Sequence, residues 1–297
     1  MDNYSVILNK VKDLGRTDNY RLRFLSATDR NDNSIMQYSG KITMSAIITS
    51  RSNAVFKKLL GLQTAKGIGR NGCFLAGGDK LIRELCHENR EMAVCWIRSP
   101  DLALMPPALS GVKQITLSKE LFRELNLLGT PGPLLEVRLP RIVRFNALAP
   151  WPDGCSLFIP FGDPENVGAV IRSAAGLGVG RVVLLSEAAC PFLPRAIRSS
   201  AGAVLRIRIE DGPSIADLAA IALPHPLYAL DMGGRPLTGI DWPATFGLIA
   251  GMEGEGLTET VKKRWRTAAI PLENGVESLN AAASVSIALW DWKSKKR

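Results

Sequence analysis

CSLFIPFGDPENVGAVIRSAAGLGVGRVVLLS, residues 155–186, decides the fold. It opens on an apolar run, CSLFIPF, of strand length. Asp163, Pro164 and Glu165 then start a helix, with acidic groups at the positive end of its dipole. PENVGAVIRSAAGLG carries that helix to a glycine stop, and RVVLLS is a second apolar strand. Strands that are apolar along their whole length, joined by a helix, predict a parallel sheet covered on both faces.

The alternation continues toward the C-terminus. CPFLPRAIRSSAG reads as a helix, AVLRIRI as a strand, PSIADLAAIA as a helix and PLYALD and FGLIAG as strands. LTETVKKRW reads as a helix, AAIPL as a strand and residues 279–292 as the last helix. Upstream, SNAVFKKLLGL, GCFLAGG, DKLIRELCH, MAVCWI, KQITLS, KELFREL and PLLEVRL alternate in the same way. The expected organisation is a small α/β domain at 46–140, a Pro-rich basic linker at 141–154 and a larger α/β domain at 155–297. Residues 1–45 mix charges with turn formers such as DRNDNS and read as a loosely ordered extension, with Met44 as an alternative start.

Composition narrows the function. The 297 residues carry a formal net charge of +9, with 46% hydrophobic and 22% charged residues. A basic chain suits a polyanionic partner, and equally a basic enzyme without one. Five scattered cysteines form no CxxC pair, and His87 and His225 are the only histidines. Neither a zinc site nor a disulfide framework is indicated, and chemistry built on a histidine base is disfavoured. The N-terminus lacks the apolar core of a signal peptide, and no apolar run reaches membrane-spanning length. The expected location is the cytoplasm.

Parallel sheets bind ligands beyond the carboxyl ends of their strands. The loops after Phe161, Ile249 and Ile270 are therefore the places to look. After the first come Asn166 in the helix's first turn and Arg172 six residues on. An Arg among Val170, Ile171 and small residues either lays its stem over apolar surface or serves a site. After the second, GMEGEG has glycines at the wrong spacing for a dinucleotide fingerprint, and Glu253 and Glu255 would repel a phosphate. Such a loop suits a cationic or ribose-bearing ligand better. After the third, Ser278 and Asn280 are good caps for a helix of small and apolar residues. Apolar all round, that helix is expected to be buried, with its N-terminus facing a site inside the protein.

Taken in this order, ENVGAVIRSA, AGMEGEGL and IPL…ESLNAAASVSIAL resemble the three motifs of the SpoU (TrmH) family of RNA ribose 2′-O-methyltransferases, in the knotted SPOUT class. The resemblance covers 156–292, with RAIRSSAGAV matching a segment between the first two motifs. The unit from KKLLGL to PLLEVRLP looks, more faintly, like the family's smaller RNA-recruiting domain.

The resemblance implies transfer of a methyl group from S-adenosyl-L-methionine to a ribose 2′-hydroxyl in ribosomal or transfer RNA. It implies a trefoil knot at the C-terminus and a homodimer formed through the C-terminal domain, without metal or membrane. Cofactor positions carry over to Gly251, Ile270 and Leu279, with Met252 and Leu272 nearby. Met252 stands where many relatives have Asn, Ser or Ala. The family's catalytic positions carry over to Arg172 and Asn166, with Glu253, Ser278 and Asn280 completing a network. Guanidinium is a poor base. Arg172 is therefore assigned to the phosphate beside the target ribose and to the developing alkoxide; a base role stays open. The rivals are a catalytically silent RNA-binding or ribosome-assembly factor of the same fold, an NAD-dependent enzyme, which the glycine spacing disfavours, and ribosomal RNA methylation that confers antibiotic resistance.

Overall fold

The computed structural model describes residues 4–10, 20–26, 35–38, 47–251 and 256–296. The chain divides into two compact units, 1–45 and 46–297. In the first, β1 (Tyr4–Lys10), β2 (Tyr20–Ser26) and β3 (Ile35–Tyr38) form an antiparallel sheet in the order β1-β2-β3, with Tyr4 opposite Ser26 and Tyr20 opposite Tyr38.

The second unit contains two sheets. The smaller is built from α1 (Ala54–Gly61), α2 (Ala65–Asn71), β4 (Cys73–Gly77), α3 (Asp79–Glu88), β5 (Ala93–Arg98), β6 (Lys113–Thr116), α4 (Lys119–Leu125) and β7 (Leu134–Arg138). Its order is β4-β7-β5-β6, with β7 antiparallel to both neighbours and β5 parallel to β6. The Asn53 side chain accepts from the amides of Val55 and Phe56 to start α1, which buries Phe56 and Leu59. Helix α2 has no counterpart in the sequence analysis, and its Gly67 and Gly69 are poor helix formers. Packing explains the glycine: a Cβ on Gly67 would collide with the carbonyl of Gly61 on α1.

The larger sheet comprises β8 (Val143–Arg144), β9 (Gly154–Ile159), β10 (Arg181–Leu184), β11 (Ile209–Asp211), β12 (Leu227–Pro236), β13 (Thr245–Ala250) and β14 (Arg266–Ala269). Its helices are α5 (Pro164–Leu177), α6 (Pro194–Ser200), α7 (Ile215–Ala220), α8 (Glu259–Lys262) and α9 (Ala281–Lys295). The order is β14-β12-β13-β9-β10-β11-β8, parallel throughout, as the apolar strands predict. All of β9 is buried. The expected strand over AVLRIRI is mostly absent. Ala201 (φ +48°) and Gly202 (φ +82°) turn the chain in the left-handed region, Ala203–Leu205 is a 3-10 turn, and β11 starts only at Ile209, where it reaches β10.

From β9 the chain runs outward to β10 and β11, then crosses to build β12, β13 and β14 on the other side. The switch point lies between β9 and β13, the crevice where open parallel sheets hold ligands. The two sheets meet through the rings of Phe74 and Phe192, 5.1 Å apart, and the Arg206–Glu84 ion pair at 2.7 Å.

Arg181 is buried in the larger sheet at 1% exposure. Its Nε donates to Ser156 Oγ at 3.0 Å, and its Nη1 lies 3.2 Å from Glu210, itself 1% exposed. The rings of Phe145 and Trp151, from the segment before β9, lie 5.0 and 4.7 Å from the guanidinium carbon. One cation thus ties three neighbouring strands and the preceding connection together.

Gly168 is where α5 meets α6: a Cβ there would overlap Ser199 Oγ and the Ala196 carbonyl. Gly168→Ala is therefore expected to lower stability by about 1–3 kcal/mol through overpacking, seen as a lower urea midpoint.

Candidate active site

Two helix starts meet beside the switch point. Asp163 caps α5 by accepting from the Glu165 amide at 2.9 Å, and Pro164 occupies the first turn, where its missing N–H costs nothing. Asn280 caps α9, its Oδ1 accepting from Ala282 (2.9 Å) and Ala283 (3.2 Å). The Asn280 Nδ2 donates to Asn166 Oδ1 at 3.0 Å, joining two residues 114 positions apart. Two turns farther along, the hydroxyls of Ser286 and Ser173 are hydrogen-bonded at 2.7 Å. Asn166 and Ser173 are seven residues apart and share one face of α5, so α5 and α9 pack side by side through small side chains.

Asn280→Ala removes both the cap and the bridge to Asn166. The expected loss is about 1 kcal/mol for the cap, measured by denaturant unfolding; an unchanged midpoint would show that the cap contributes nothing.

Arg172 sits next to Ser173, about 100° around the helix. It is exposed, and among the described residues no hydrogen bond or ion pair engages it. The coordinates thus join Asn166 to Asn280 directly and set Arg172 on a different face of α5. Ser278 is exposed in the segment before α9, and Leu279 beside it is 36% exposed.

Gly251 follows β13. A Cβ there would lie 3.0 Å from the Cα of Gly256, so these two glycines come close together, with Gly256 at φ +67°. The sequence-predicted Met252 and Glu253 lie outside the described residues. Ile270 and Leu272 follow β14 and are half-buried.

Sequence reasoning passed over a fourth turn at this edge. Leu230 pairs with Ala250 of β13 and Ala268 of β14, and Arg235 pairs with Ala268 again. Residues 231–234 therefore bulge out of β12, between the ends of the strands that carry Gly251 and Ile270. Gly234 lies so close to β14 that a Cβ would sit 2.6 Å from the Ala268 nitrogen. The legible signal was the pair Gly233-Gly234 one residue after the strand read over PLYALD.

The expectation that α9 is buried all round is corrected. Ala282, Val285, Ala288, Leu289 and Trp292 face the core, but Ile287 is 40% and Trp290 60% exposed. A helix laid on one side of a sheet and one neighbouring helix has only one covered face, whatever its composition. Asn280 is likewise exposed rather than enclosed. The arginines near the irregular segment differ: Arg206 pairs with Glu84 and Arg208 with Glu210, while Arg195 is exposed.

A cleft of about 380 Å³ lies at the far edge of the larger sheet, between Pro140–Val143 and Val204–Ile209, away from these turns. Among the described residues, no group of three His, Cys, Asp or Glu is placed to hold a metal, and no helix is long and apolar enough to cross a membrane. The cysteines are free. Burial pushes the Cys95 thiol up to about 12 and raises that of Cys155 as well, so neither is a ready nucleophile.

Residues 158–290 match the SpoU rRNA Methylase family. The match runs from α5 into α9 and takes in the strands between them. It is 38% identical over 247 residues to a protein of Syntrophobacter fumaroxidans named ribosomal RNA small subunit methyltransferase G 2, covering 82% of this chain and 48% of that protein. The chain thus spans about half the length of that relative. An uncharacterized tRNA/rRNA methyltransferase of Synechocystis is 26% identical over 258 residues, covering 83% of this chain and 93% of its own. Among solved structures, the SpoU methyltransferase AviRb of Streptomyces viridochromogenes in complex with AdoMet superposes with a TM-score of 0.69 at 23% identity, over 82% of this chain and 98% of that one. An AdoMet-bound rRNA methyltransferase of Sinorhizobium meliloti gives 0.69 at 19% identity, over 84% and 98%. These likenesses establish the fold of the SpoU methyltransferases for this chain.

Proposed function

We propose that the SpoU domain transfers a methyl group from S-adenosyl-L-methionine to a ribose 2′-hydroxyl of structured RNA, with ribosomal RNA the first candidate and transfer RNA the second. The observation that carries the reading is the Asn280–Asn166 hydrogen bond, which brings the starts of α5 and α9 together beside the switch point of a parallel sheet. The edge also fits the donor. A side chain at Gly234 would clash with the β14 backbone, and one at Gly251 would press on Gly256, so main chain comes close at both positions. Such turns suit a ligand held through backbone amides and carbonyls, as the family resemblance implies.

The donor, when bound, supplies a methyl group on a sulfonium centre. Gly251, Met252, Ile270, Leu272 and Leu279 are assigned to holding it. Arg172, exposed on α5, is free to reach an RNA phosphate and to stabilise charge developing on the attacking 2′-oxygen. Asn166, Ser278 and Asn280 are assigned to orienting the ribose, and Glu253 to holding the guanidinium or sharing a proton network with it. The apolar stripe of Ile287 and Trp290 on α9 supports the homodimer that the resemblance implies. The knot and action in the cytoplasm belong to the same proposal.

The relative's name, methyltransferase G 2, does not say which half of that longer protein acts on RNA. The test is therefore direct. Total RNA from cells with and without the gene is mapped for ribose methylation by resistance to alkaline cleavage. A single gene-dependent linkage protected from cleavage, on the 3′ side of a 2′-O-methyl ribose, is expected. Methylation on a base instead, or none alongside retained RNA binding, overturns the reading; the second outcome would favour the silent factor.

A further inference from the structure

The bulge in β12 and the short helix α8 are tied by one ion pair. Asp231 opens the bulge, and its two oxygens have separate tasks. Oδ1 accepts from the Gly233 amide at 3.0 Å, which fixes the bulge's own turn. Oδ2 lies 2.6 Å from Lys262 Nζ on α8. The same ammonium lies 3.0 Å from Glu259 Oε1 at the start of α8. Both partners are about one-fifth exposed, well out of bulk solvent, so the pair is screened less than a surface bridge. Burial pushes the Asp231 carboxyl up, but the bonds from Lys262 and Gly233 outweigh it and hold the group below its ordinary range.

Position gives the pair its meaning. α8 starts three residues after Gly256, which comes close to Gly251. Leu230 is level with Ala250, so the bulge begins beside Gly251. Lys262 therefore links the turn after β13 to the turn within β12, and both flank the edge assigned above to the methyl donor. The bulge is pinned to β14 at its ends, where Leu230 and Arg235 both pair with Ala268 and Gly234 packs on the backbone. Between them Met232 is 54% exposed, and the Asp231 carboxylate is the side chain that fixes the turn.

We infer that Asp231 and Lys262 are positioning residues that set the spacing between these two turns and so the affinity for the donor. This rests on the proposed function. Neither side chain needs to touch the reacting atoms; each acts through the backbone it holds.

The experiment is calorimetric titration of the full chain with S-adenosylmethionine and with S-adenosylhomocysteine, paired with turnover on RNA. Lys262→Met and Asp231→Asn are expected to weaken binding of both ligands about ten-fold, with kcat at saturating donor within about two-fold and the thermal midpoint within about 2 °C of the parent. Lys262→Arg, which keeps the charge, should bind within about three-fold of the parent. The double variant Asp231→Asn with Lys262→Met should bind no more weakly than the weaker single variant, because the two side chains act through one contact. Binding by Lys262→Met as tight as the parent's overturns the inference. So does a loss of affinity that tracks a lowered thermal midpoint, or losses that add in the double variant, since the pair would then not act as one clamp. If the parent chain itself binds neither ligand, the functional proposal falls with it; if the parent binds and the variants match it, only the clamp falls.

Discussion

Replacing Arg172 with alanine should lower methyl transfer to RNA by about 10²–10³-fold, the usual cost of removing one donor aimed at developing negative charge. Affinity for S-adenosylmethionine should stay within about two-fold, because the positions assigned to the donor are backbone turns at Gly251, Ile270 and Leu279 and not the exposed face of α5. Stability should hardly change. Arg172 is exposed, and no ion pair engages it among the described residues, so its removal leaves no buried partner behind. Arg172→Lys separates charge from geometry: a lysine keeps the cation but loses the planar fork that grips a phosphate through two bonds, so partial activity is expected. Calorimetry, thermal melting and RNA turnover on the same preparations decide the matter. Normal turnover by the alanine variant would remove Arg172 from the site.

The second large effect belongs to stability. Glu210→Gln should cost about 3–5 kcal/mol, because it leaves the buried guanidinium of Arg181 without its counter-charge. Burial already pulls the Arg181 guanidinium below its ordinary range, and Glu210 is the main group that offsets this. Ser156 and the faces of Phe145 and Trp151 remain as partners, but none carries charge. Replacing both members, as Arg181→Met with Glu210→Leu, should cost much less than the single change, since no charge is then left buried. Urea unfolding of the two variants gives the comparison. A loss under about 1 kcal/mol for Glu210→Gln would place the pair among surface-like bridges.

Much of the fold was legible because it rests on local rules. The apolar runs at β9, β10 and β13 announce a parallel sheet, since only strands covered on both faces lack polar alternation. Asp163 and Asn280 announce helix starts through the geometry of a short acceptor and two free amides. The elements that were misread are those in which a distant contact overrides local preference. Helix α2 exists because Gly67 lets it touch α1, and LRIRI alternates like a strand yet is held as an irregular segment by Arg206 on Glu84.

What the sequence by itself determined is the alternation of strands and helices, and the three motifs that carry the family resemblance. Those depend on neighbours within a turn or two, and side-chain periodicity records them. Only the tertiary structure decided that Asn166 and Asn280 share a hydrogen bond, that Arg172 stands on another face of α5, and that the β12 bulge is held by Lys262. These pairings join residues between 31 and 114 positions apart. They follow from the strand order, which brings the ends of β12, β13, β14 and β9 to one edge, and no periodicity along the chain encodes that order.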